Sequence, residues 1–163
     1  MRNDPIFQIE YAVAVLVRLL TATRPHQPQV ATLDRSAYLI LHEVLTEKEP
    51  FAVQQLALRL NVDLSTMSRQ VATMESKGLL NPMQVTDDAR SHRVQATPTG
   101  RQQFESMRDA RRQVYGQILH EWSPQDQEQL AQVLQRFTDS IRQYQSRMHP
   151  HDRPQSPPKA SPK

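Results

Sequence analysis

Two short segments with helical apolar spacing, separated by a tight polar turn, constrain this sequence more than any other feature. Residues 53–60 and residues 63–77 each place apolar side chains three and four positions apart, as a helix with one buried face does. Asn61 tolerates the left-handed conformation and is suited to close the first helix. Asp63 is a typical N-cap for the second helix, and Gly78 suits its C-terminal end. The pattern predicts a helix, a tight turn and a second helix.

The second of these helices has an outer face that ordinary solvated helices lack. With Met67 at the centre of the buried face, Val71 and Met74 fall within about 40° of it. The outer face carries short hydroxyls and single long polar side chains in place of Glu–Lys pairs: Ser65, Thr66, Arg69, Gln70, Thr73 and Ser76. Short donors allow close approach to base edges, and Arg69 and Gln70 could bind guanine or adenine bidentately. The free backbone N–H groups near the helix N-terminus suit phosphate.

After Gly78 the period of the sequence changes from that of a helix to that of strands. Residues 79–85 and 93–97 are predicted to form two short strands, joined by the loop TDDARSHR. An arginine on a narrow ribbon, Arg90 or Arg93, is shaped to enter a minor groove, where the negative potential favours it. Asp88 could hold Arg90 extended. The alternative is that the loop is simply the charged tip of a hairpin.

The helices that flank this central region carry apolar faces of their own. Asp4-Pro5 starts a helix that runs to about Thr23, with apolar side chains around nearly its whole circumference. In so short a chain, burial by a partner chain accounts for that pattern better than a central place in a large core. Asp34 is expected to cap a further helix. Thr99 is expected to cap another that reaches about Glu121.

The last predicted helix begins at Ser123-Pro124 and has a coiled-coil-like apolar seam, with residues three and four apart up to Met148. Residues 149–163 contain five prolines and are expected to be disordered.

Composition narrows the classes of function. The three glycines form no phosphate-binding loop, and the absence of cysteine excludes disulfides and thiolate metal sites. The formal charge of +3 comes from residues 147–163, which hold four cations and one anion, so residues 1–146 are formally neutral. Any argument for nucleic acid must therefore rest on where the charges lie. The apolar run at residues 11–20 is too short to span a bilayer, which predicts a cytoplasmic protein with no membrane partner.

The sequence from residue 33 to residue 100 resembles the MarR family of bacterial transcriptional regulators. The matching pieces are LDRSAYLILHEV, FAVQQLALRLNVDLSTMSRQVATMESKGLL and DDARSHRVQATPTG, the last of which is similar to the Asp-x-Arg pattern of the family's wing. The resemblance implies a mainly α fold with a small β wing of two to three strands. It also implies a homodimer that binds a pseudo-palindromic site in double-stranded DNA, acts as a repressor and needs no cofactor.

The resemblance assigns roles along the chain. Residues 1–24 and 99–148 would supply the dimerisation helices, 33–98 the winged helix-turn-helix domain and 149–163 a basic tail. The DNA-binding residues implied are Ser65, Thr66, Ser68, Arg69, Gln70, Asp88 and Arg90. Thr73, Lys77 and Arg93, on the same helix and ribbon, are further candidates. Three positions depart from the family's pattern: Ala52 replaces a Ser or Thr cap, Asn61 replaces a turn glycine, and Asn81-Pro82-Met83 replaces a stretch that is often basic. Pro82 fits only an edge strand.

Other kinds of site have less support in these residues. The six histidines are scattered and form no pair at metal-ligand spacing, so zinc sensing is not favoured. No motif supports catalysis. A small aromatic or anionic effector, as members of the family often bind, would lie near Tyr11, Arg18, Tyr38 and His42, each of which could equally be ordinary packing. The rival function is a winged-helix module that binds a protein instead of an operator.

Overall fold

The computed structural model describes residues 4–22, 33–83 and 92–148, which form six helices and three strands. In chain order the elements are α1 (Pro5–Ala22), α2 (Arg35–Thr46), β1 (Phe51–Ala52), α3 (Val53–Arg59), α4 (Leu64–Ser76), β2 (Leu80–Met83), β3 (Arg93–Ala96), α5 (Pro98–Ile118) and α6 (Pro124–Met148). The expected fold, mainly α with a small β wing, is confirmed. The tip of the predicted ribbon, with Asp88 and Arg90, and the tail at 149–163 lie outside the described residues.

The predicted caps and turns around the helix pair are confirmed. The Asp34 carboxylate accepts a hydrogen bond from the Ala37 N–H at 2.8 Å, and the Asp63 carboxylate accepts one from the Thr66 N–H at 2.8 Å. Asn61 has φ 51°, the left-handed conformation that turns the chain between α3 and α4. Each of these local features depends on only a few neighbouring residues, which is why the sequence predicts them.

The predicted start of α5 at Thr99 is wrong, because the N-cap is Thr97. The Thr97 hydroxyl oxygen accepts a hydrogen bond from the Gly100 N–H at 2.9 Å, and the hydroxyl donates to the Gly78 carbonyl at 2.7 Å. Pro98, which lacks an N–H and has a φ suited to a helix, occupies the first helical position, where no partner for that group is needed. The helix ends at Ile118, three residues before the predicted Glu121.

The wing is a three-stranded antiparallel sheet in the order β1-β3-β2. β3 lies in the centre, with Val94 opposite both Phe51 of β1 and Pro82 of β2. Pro82 therefore lies on an edge strand, as its missing N–H requires. The sequence does not predict the third strand, β1, since its two residues are extended only because β3 pairs with them.

The hydrophobic core lies between α2, α3, α4, the sheet and the first turns of α5. Its fully buried large side chains are Ile40, Leu41, Leu56, Met67, Val71, Leu80 and Val94. α1 and α6 lie largely outside this core. Ile6 of α1 is 72% exposed and Val133 of α6 is 64% exposed, and no residue of α6 is buried in the described protomer.

Candidate nucleic-acid interface

Helix α4 is held by one face and presents the other to solvent. Met67, Val71 and Met74 are buried on the core side, as their spacing predicts. Arg69 and Thr73 are exposed on the other side. Because the buried side chains fix the rotation of the helix, the polar face is presented in one orientation relative to the rest of the domain.

The hydroxyls on α4 are satisfied by the helix itself. Ser68 donates to the Leu64 carbonyl at 2.7 Å, and Thr73 donates to the Arg69 carbonyl at 2.9 Å. Each hydroxyl oxygen keeps acceptor capacity, and each hydroxyl could rotate to donate to an incoming acceptor instead. The exchange leaves no buried group unpaired, because both hydroxyls lie at least partly in water. Short, adaptable groups of this kind are suited to base edges.

Arg69 and Gln70 are neighbours in sequence, but the Arg69 side chain is freer to reorient than the Gln70 side chain. The Arg69 side chain is exposed, and one guanidinium nitrogen lies 3.3 Å from the Thr66 hydroxyl on the same helix. Gln70 is half-buried, and its side-chain amide donates to the Ser36 hydroxyl of α2 at 3.4 Å. Arg69 can therefore extend towards a partner by releasing a hydrogen bond within its own helix, whereas Gln70 would first have to release α2.

The N-terminus of α4 is occupied by its own cap. Hydrogen bonds from the Ser65 hydroxyl, at 2.6 Å, and from Thr66 hold the pKa of the Asp63 carboxyl well below its ordinary value. The ionised Asp63 carboxylate lies next to the positive end of the helix dipole, which favours a negative charge there. The expectation that this end offers free N–H groups to phosphate is weakened, because Thr66 N–H is already taken by a carboxylate.

At the base of the wing, Arg93 is turned away from solvent. Its guanidinium donates to the Pro50 carbonyl at 3.3 Å, and its Nε has no hydrogen-bond partner among the described residues. The side chain is half-buried and braces the loop before β1. In this arrangement Arg93 links β3 to the loop before β1, which differs from the extension into a DNA groove that is expected of an arginine on the ribbon.

His92, which the sequence did not single out as part of this site, joins the wing to α4. Its Nε2 lies 3.0 Å from a carboxylate oxygen of Glu75, and its backbone carbonyl accepts a hydrogen bond from the Val53 N–H at 3.0 Å. The root of the wing is thereby tied to α4 and to α3. His92 lies seventeen positions after Glu75, a separation that no helix or strand periodicity predicts. The pair is therefore recognised only from the structure.

Two of the four effector candidates lie together, between α2 and α5. The Tyr38 ring stacks on Phe104 with ring centroids 5.0 Å apart, and the His42 ring meets the same Phe104 edge-on at 6.1 Å. Arg111, which sequence reasoning missed, places its guanidinium 4.2 Å from the centre of the Tyr38 ring. Because Arg111 lies two helical turns after Phe104, the helical spacing could have predicted that both side chains lie on the same face of α5.

The other two candidates, Tyr11 and Arg18, lie on α1. Tyr11 is 65% exposed in the described protomer. A separate cavity of about 430 Å³ lies between α2, α4 and α5 and is lined in part by Ser36, Gln70 and Lys77. Within the described residues, this cavity lies close to α2 but is not lined by Tyr38, His42 or Phe104.

The described ranges contain neither a metal cluster nor a membrane span. No three His, Asp or Glu side chains there are grouped closely enough to hold a metal ion. None of the helices in the same ranges combines the length and the hydrophobicity that a membrane span requires.

Comparison with known proteins identifies relatives of the whole chain. The family model for the MarR family matches residues 33–92, the segment from α2 to the root of β3. The chain is 33% identical over 142 residues to YxaD of Bacillus subtilis (strain 168), an uncharacterized HTH-type transcriptional regulator. That alignment covers 86% of this chain and 99% of YxaD, so it extends well beyond the residues that the family model matches.

Solved structures show the same fold. The PcaV transcriptional regulator of Streptomyces coelicolor, determined in complex with its natural ligand, superposes with a TM-score of 0.63 at 17% identity, covering 78% of this chain and 91% of PcaV. The organohalide-sensing regulator RdhR, in its 2,4-dichlorophenol-bound form, gives a TM-score of 0.69 at 17% identity, covering 98% of this chain and 94% of RdhR.

Proposed function

This chain belongs to the MarR family, a family of winged-helix transcriptional regulators, and on that premise we propose that it represses transcription by binding a pseudo-palindromic operator as a homodimer. Helix α4 would enter the major groove, and the wing would follow the adjacent minor groove. Blocking of the promoter by the bound dimer would account for repression. A protein with this task would work in the cytoplasm.

The observation that carries the proposal is the division of α4 into two faces. One face is fixed by buried Met67, Val71 and Met74, and the other presents exposed Arg69 and Thr73. Because its hydrogen bond to Thr66 lies within its own helix, Arg69 is the side chain best placed to bind guanine bidentately. Gln70 could contact a base only after breaking its hydrogen bond to Ser36, so its contact with DNA would cost more free energy than that of Arg69.

The wing supplies the second contact. By the resemblance of DDARSHR to the family's wing, Arg90 would enter the minor groove and Asp88 would hold it extended. The Glu75–His92 and Val53–His92 hydrogen bonds support this arrangement, because they fix the root of the wing to α4 and α3. An arginine carried by an anchored ribbon loses less conformational freedom on binding than one on a free loop.

The dimer is supported by the apolar faces that one protomer leaves open. α1 exposes Ile6 and Leu19 by 72% and 58%, and α6 exposes Val133 and Tyr144 by 64% each. Many exposed apolar side chains on two helices are typical of a binding surface. A second copy of the chain, with the same two helices, would cover it symmetrically.

An effector would bind between α2 and α5, and an aromatic anion suits the residues there best. The half-buried Tyr38 ring and the exposed His42 ring, both packed on Phe104, could stack on an aromatic body, and Arg111 is a cation within the same cluster. The phenol bound by RdhR and the natural ligand bound by PcaV support an effector in a protein of this fold. Release of DNA on binding is the direction we propose.

The experiment that tests the function is selection of bound duplexes from a random pool by the purified protein. We expect a pseudo-palindromic sequence with half-sites about 10 bp apart. Arg69→Ala should relax the preference at one position in each half-site, whereas Arg90→Ala should weaken binding across many sequences. Arg136→Gln, a cation of α6 far along the chain from the reading helix, is the matched control and should leave both unchanged.

Two results would argue against the proposal. If no duplex is enriched with or without candidate aromatic acids, the chain is not an operator-binding protein. The formally neutral charge of residues 1–146 would then favour a winged-helix module that binds a protein. If sites are enriched but Arg69→Ala and Arg90→Ala weaken all duplexes equally, the assignment of α4 as the reading helix is refuted.

A further inference from the structure

The cavity between α2, α4 and α5 lies directly against the polar face of α4. Three of the candidate DNA contacts, Gln70, Thr73 and Lys77, line it from α4, and it also touches Ser36 of α2 and Gln103 of α5. Its volume of about 430 Å³ is within the range of small-molecule sites. That volume corresponds to about 14 water molecules at about 30 Å³ each. The cavity is therefore large enough for a small organic molecule.

The floor of the cavity is apolar. Leu33, Ala37, Met74 and Leu79 line it, and all four are buried core residues. The thioether of a methionine makes favourable contacts with the edge of an aromatic ring. An apolar body, and an aromatic one in particular, is therefore suited to this floor.

The polar groups around that floor are mainly hydrogen-bond donors. The Gln70 amide donates one of its two N–H groups to Ser36, at 3.4 Å, and has the other to offer. Among the described residues, neither the Lys77 ammonium nor the Gln103 amide has a hydrogen-bond or ion-pair partner. Asp34 is the one anion of this lining, and its carboxylate already accepts the hydrogen bond that caps α2, at 2.8 Å. Two amides and a cation without a carboxylate partner favour a ligand with an anionic acceptor.

We propose that this cavity binds a small aromatic carboxylic acid, and that the bound acid competes with DNA for α4. The carboxylate would accept hydrogen bonds from Lys77, Gln70 and Gln103. The ring would pack on Met74. Gln70 would then be held by the ligand and Ser36 together, and the charge of Lys77 would be neutralised, so that both are withdrawn from a duplex. The competition rests on the operator-binding function proposed above, whereas the binding of the acid does not.

The binding of the acid is tested on the full-length protein without DNA. Its methionine methyl groups are isotope-labelled, and the Met74 signal is followed by NMR as benzoate is added, with neutral benzamide as the matched ligand. We expect benzoate to move the Met74 signal, and benzamide to do so only at higher concentration. Gln103→Leu should weaken benzoate binding about tenfold, the effect of losing one hydrogen bond to a charged group. Gln102→Leu changes the exposed neighbour that does not line the cavity, and should leave benzoate binding unchanged.

Three results would overturn the acid site. The first is a Met74 signal that benzoate does not move. The second is equal benzoate affinity in the parent and in Gln103→Leu. The third is a Met74 signal that inorganic phosphate moves at the same concentration as benzoate, because the cavity would then be a site for any anion, including a phosphate of the DNA backbone.

The competition is tested by measuring operator affinity with increasing benzoate. Benzoate should weaken operator binding by the parent and by Gln102→Leu, and about tenfold more benzoate should be needed for Gln103→Leu. If Arg111→Gln abolishes the effect of benzoate and Gln103→Leu does not, the acid acts at the aromatic cluster between α2 and α5, and the competition is overturned. If benzoate moves the Met74 signal but the parent selects no duplex, the acid site stands and the operator-binding function fails.

Discussion

Gly100 is the position where the smallest substitution should have the largest effect on the fold. A Cβ added there would lie 2.2 Å from the backbone oxygen of Leu79 and 3.0 Å from its carbonyl carbon. Both atoms belong to the main chain directly after the Gly78 turn that ends α4, so no side-chain rotation relieves the overlap. Gly100→Ala must instead push α5 away from the end of α4.

The cost follows from what that displacement breaks. Overpacking in a filled site costs about 1–3 kcal/mol. The Thr97 hydroxyl, which bridges Gly78 and the Gly100 N–H, would lose one or two hydrogen bonds worth about 1 kcal/mol each. The gain from replacing glycine in a helix, about 0.5–1 kcal/mol, offsets part of this. We expect a net loss of about 2 kcal/mol, or a Tm lower by about 4–8 °C.

Thermal and urea unfolding, followed by helical circular dichroism at one fixed protein concentration, measure this loss. The concentration must be fixed because the stability of a dimer depends on it. Gly116→Ala is the matched control: it lies in the same helix, and a Cβ there meets nothing within 4 Å in the protomer. That change should stabilise the protein by about 0.5–1 kcal/mol. If Gly100→Ala melts at or above the parent temperature, the close packing of α5 on Leu79 is refuted.

Three further predictions follow from the caps and the exposed helices. Because its hydrogen bonds lower the pKa of Asp63, the ionised carboxylate stabilises the fold fully above the ordinary value of 3.8, and this contribution is lost as the pH falls through the lower folded value. Asp63→Asn, which keeps a capping oxygen, should reduce the acid sensitivity of the helix signal; an unchanged acid titration would contradict the assigned cause. Thr97→Val should cost about 1–3 kcal/mol in urea unfolding, whereas Thr97→Ser should not, and equal losses would show that the hydroxyl is not responsible. Ile141→Glu should give a monomer in sedimentation that no longer binds the operator, and a variant that stays dimeric would exclude α6 from the interface.

The features that the sequence predicted correctly are those that depend on near neighbours. Asn61, Asp63 and Gly78 each report on a turn or cap formed within four residues, and the periodicity of α4 identifies its buried face without knowledge of any partner. Thr97 was missed although it is also local. Two threonines flank Pro98, and choosing the cap required recognising that proline would take the first helical position.

The features that the sequence could not supply are contacts between distant segments. The strand at Phe51 exists only because β3 pairs with it. From the sequence, Arg93 is a candidate to enter a DNA groove. In the structure its guanidinium donates a hydrogen bond to the Pro50 carbonyl, 43 positions away in the chain. The same is true of the Glu75–His92 pair that ties the wing to α4. Periodicity and capping rules describe single helices and strands. They do not predict how two of these elements lie relative to each other.

The packing around Thr97 makes α5 a rigid extension of the domain that carries α4. The Thr97 hydroxyl donates to the turn that closes α4, Phe104 and Met107 are buried in the same core, and α5 extends through 21 residues, about 31 Å, towards the helices proposed to hold the two copies together. A rotation of about 10° about the far end of α5 displaces the Thr97 end by about 5 Å, more than the 3.4 Å between successive base pairs. In the dimer proposed above, small changes in how the two α5 helices cross would therefore alter the spacing of the two α4 helices by a full step along the DNA.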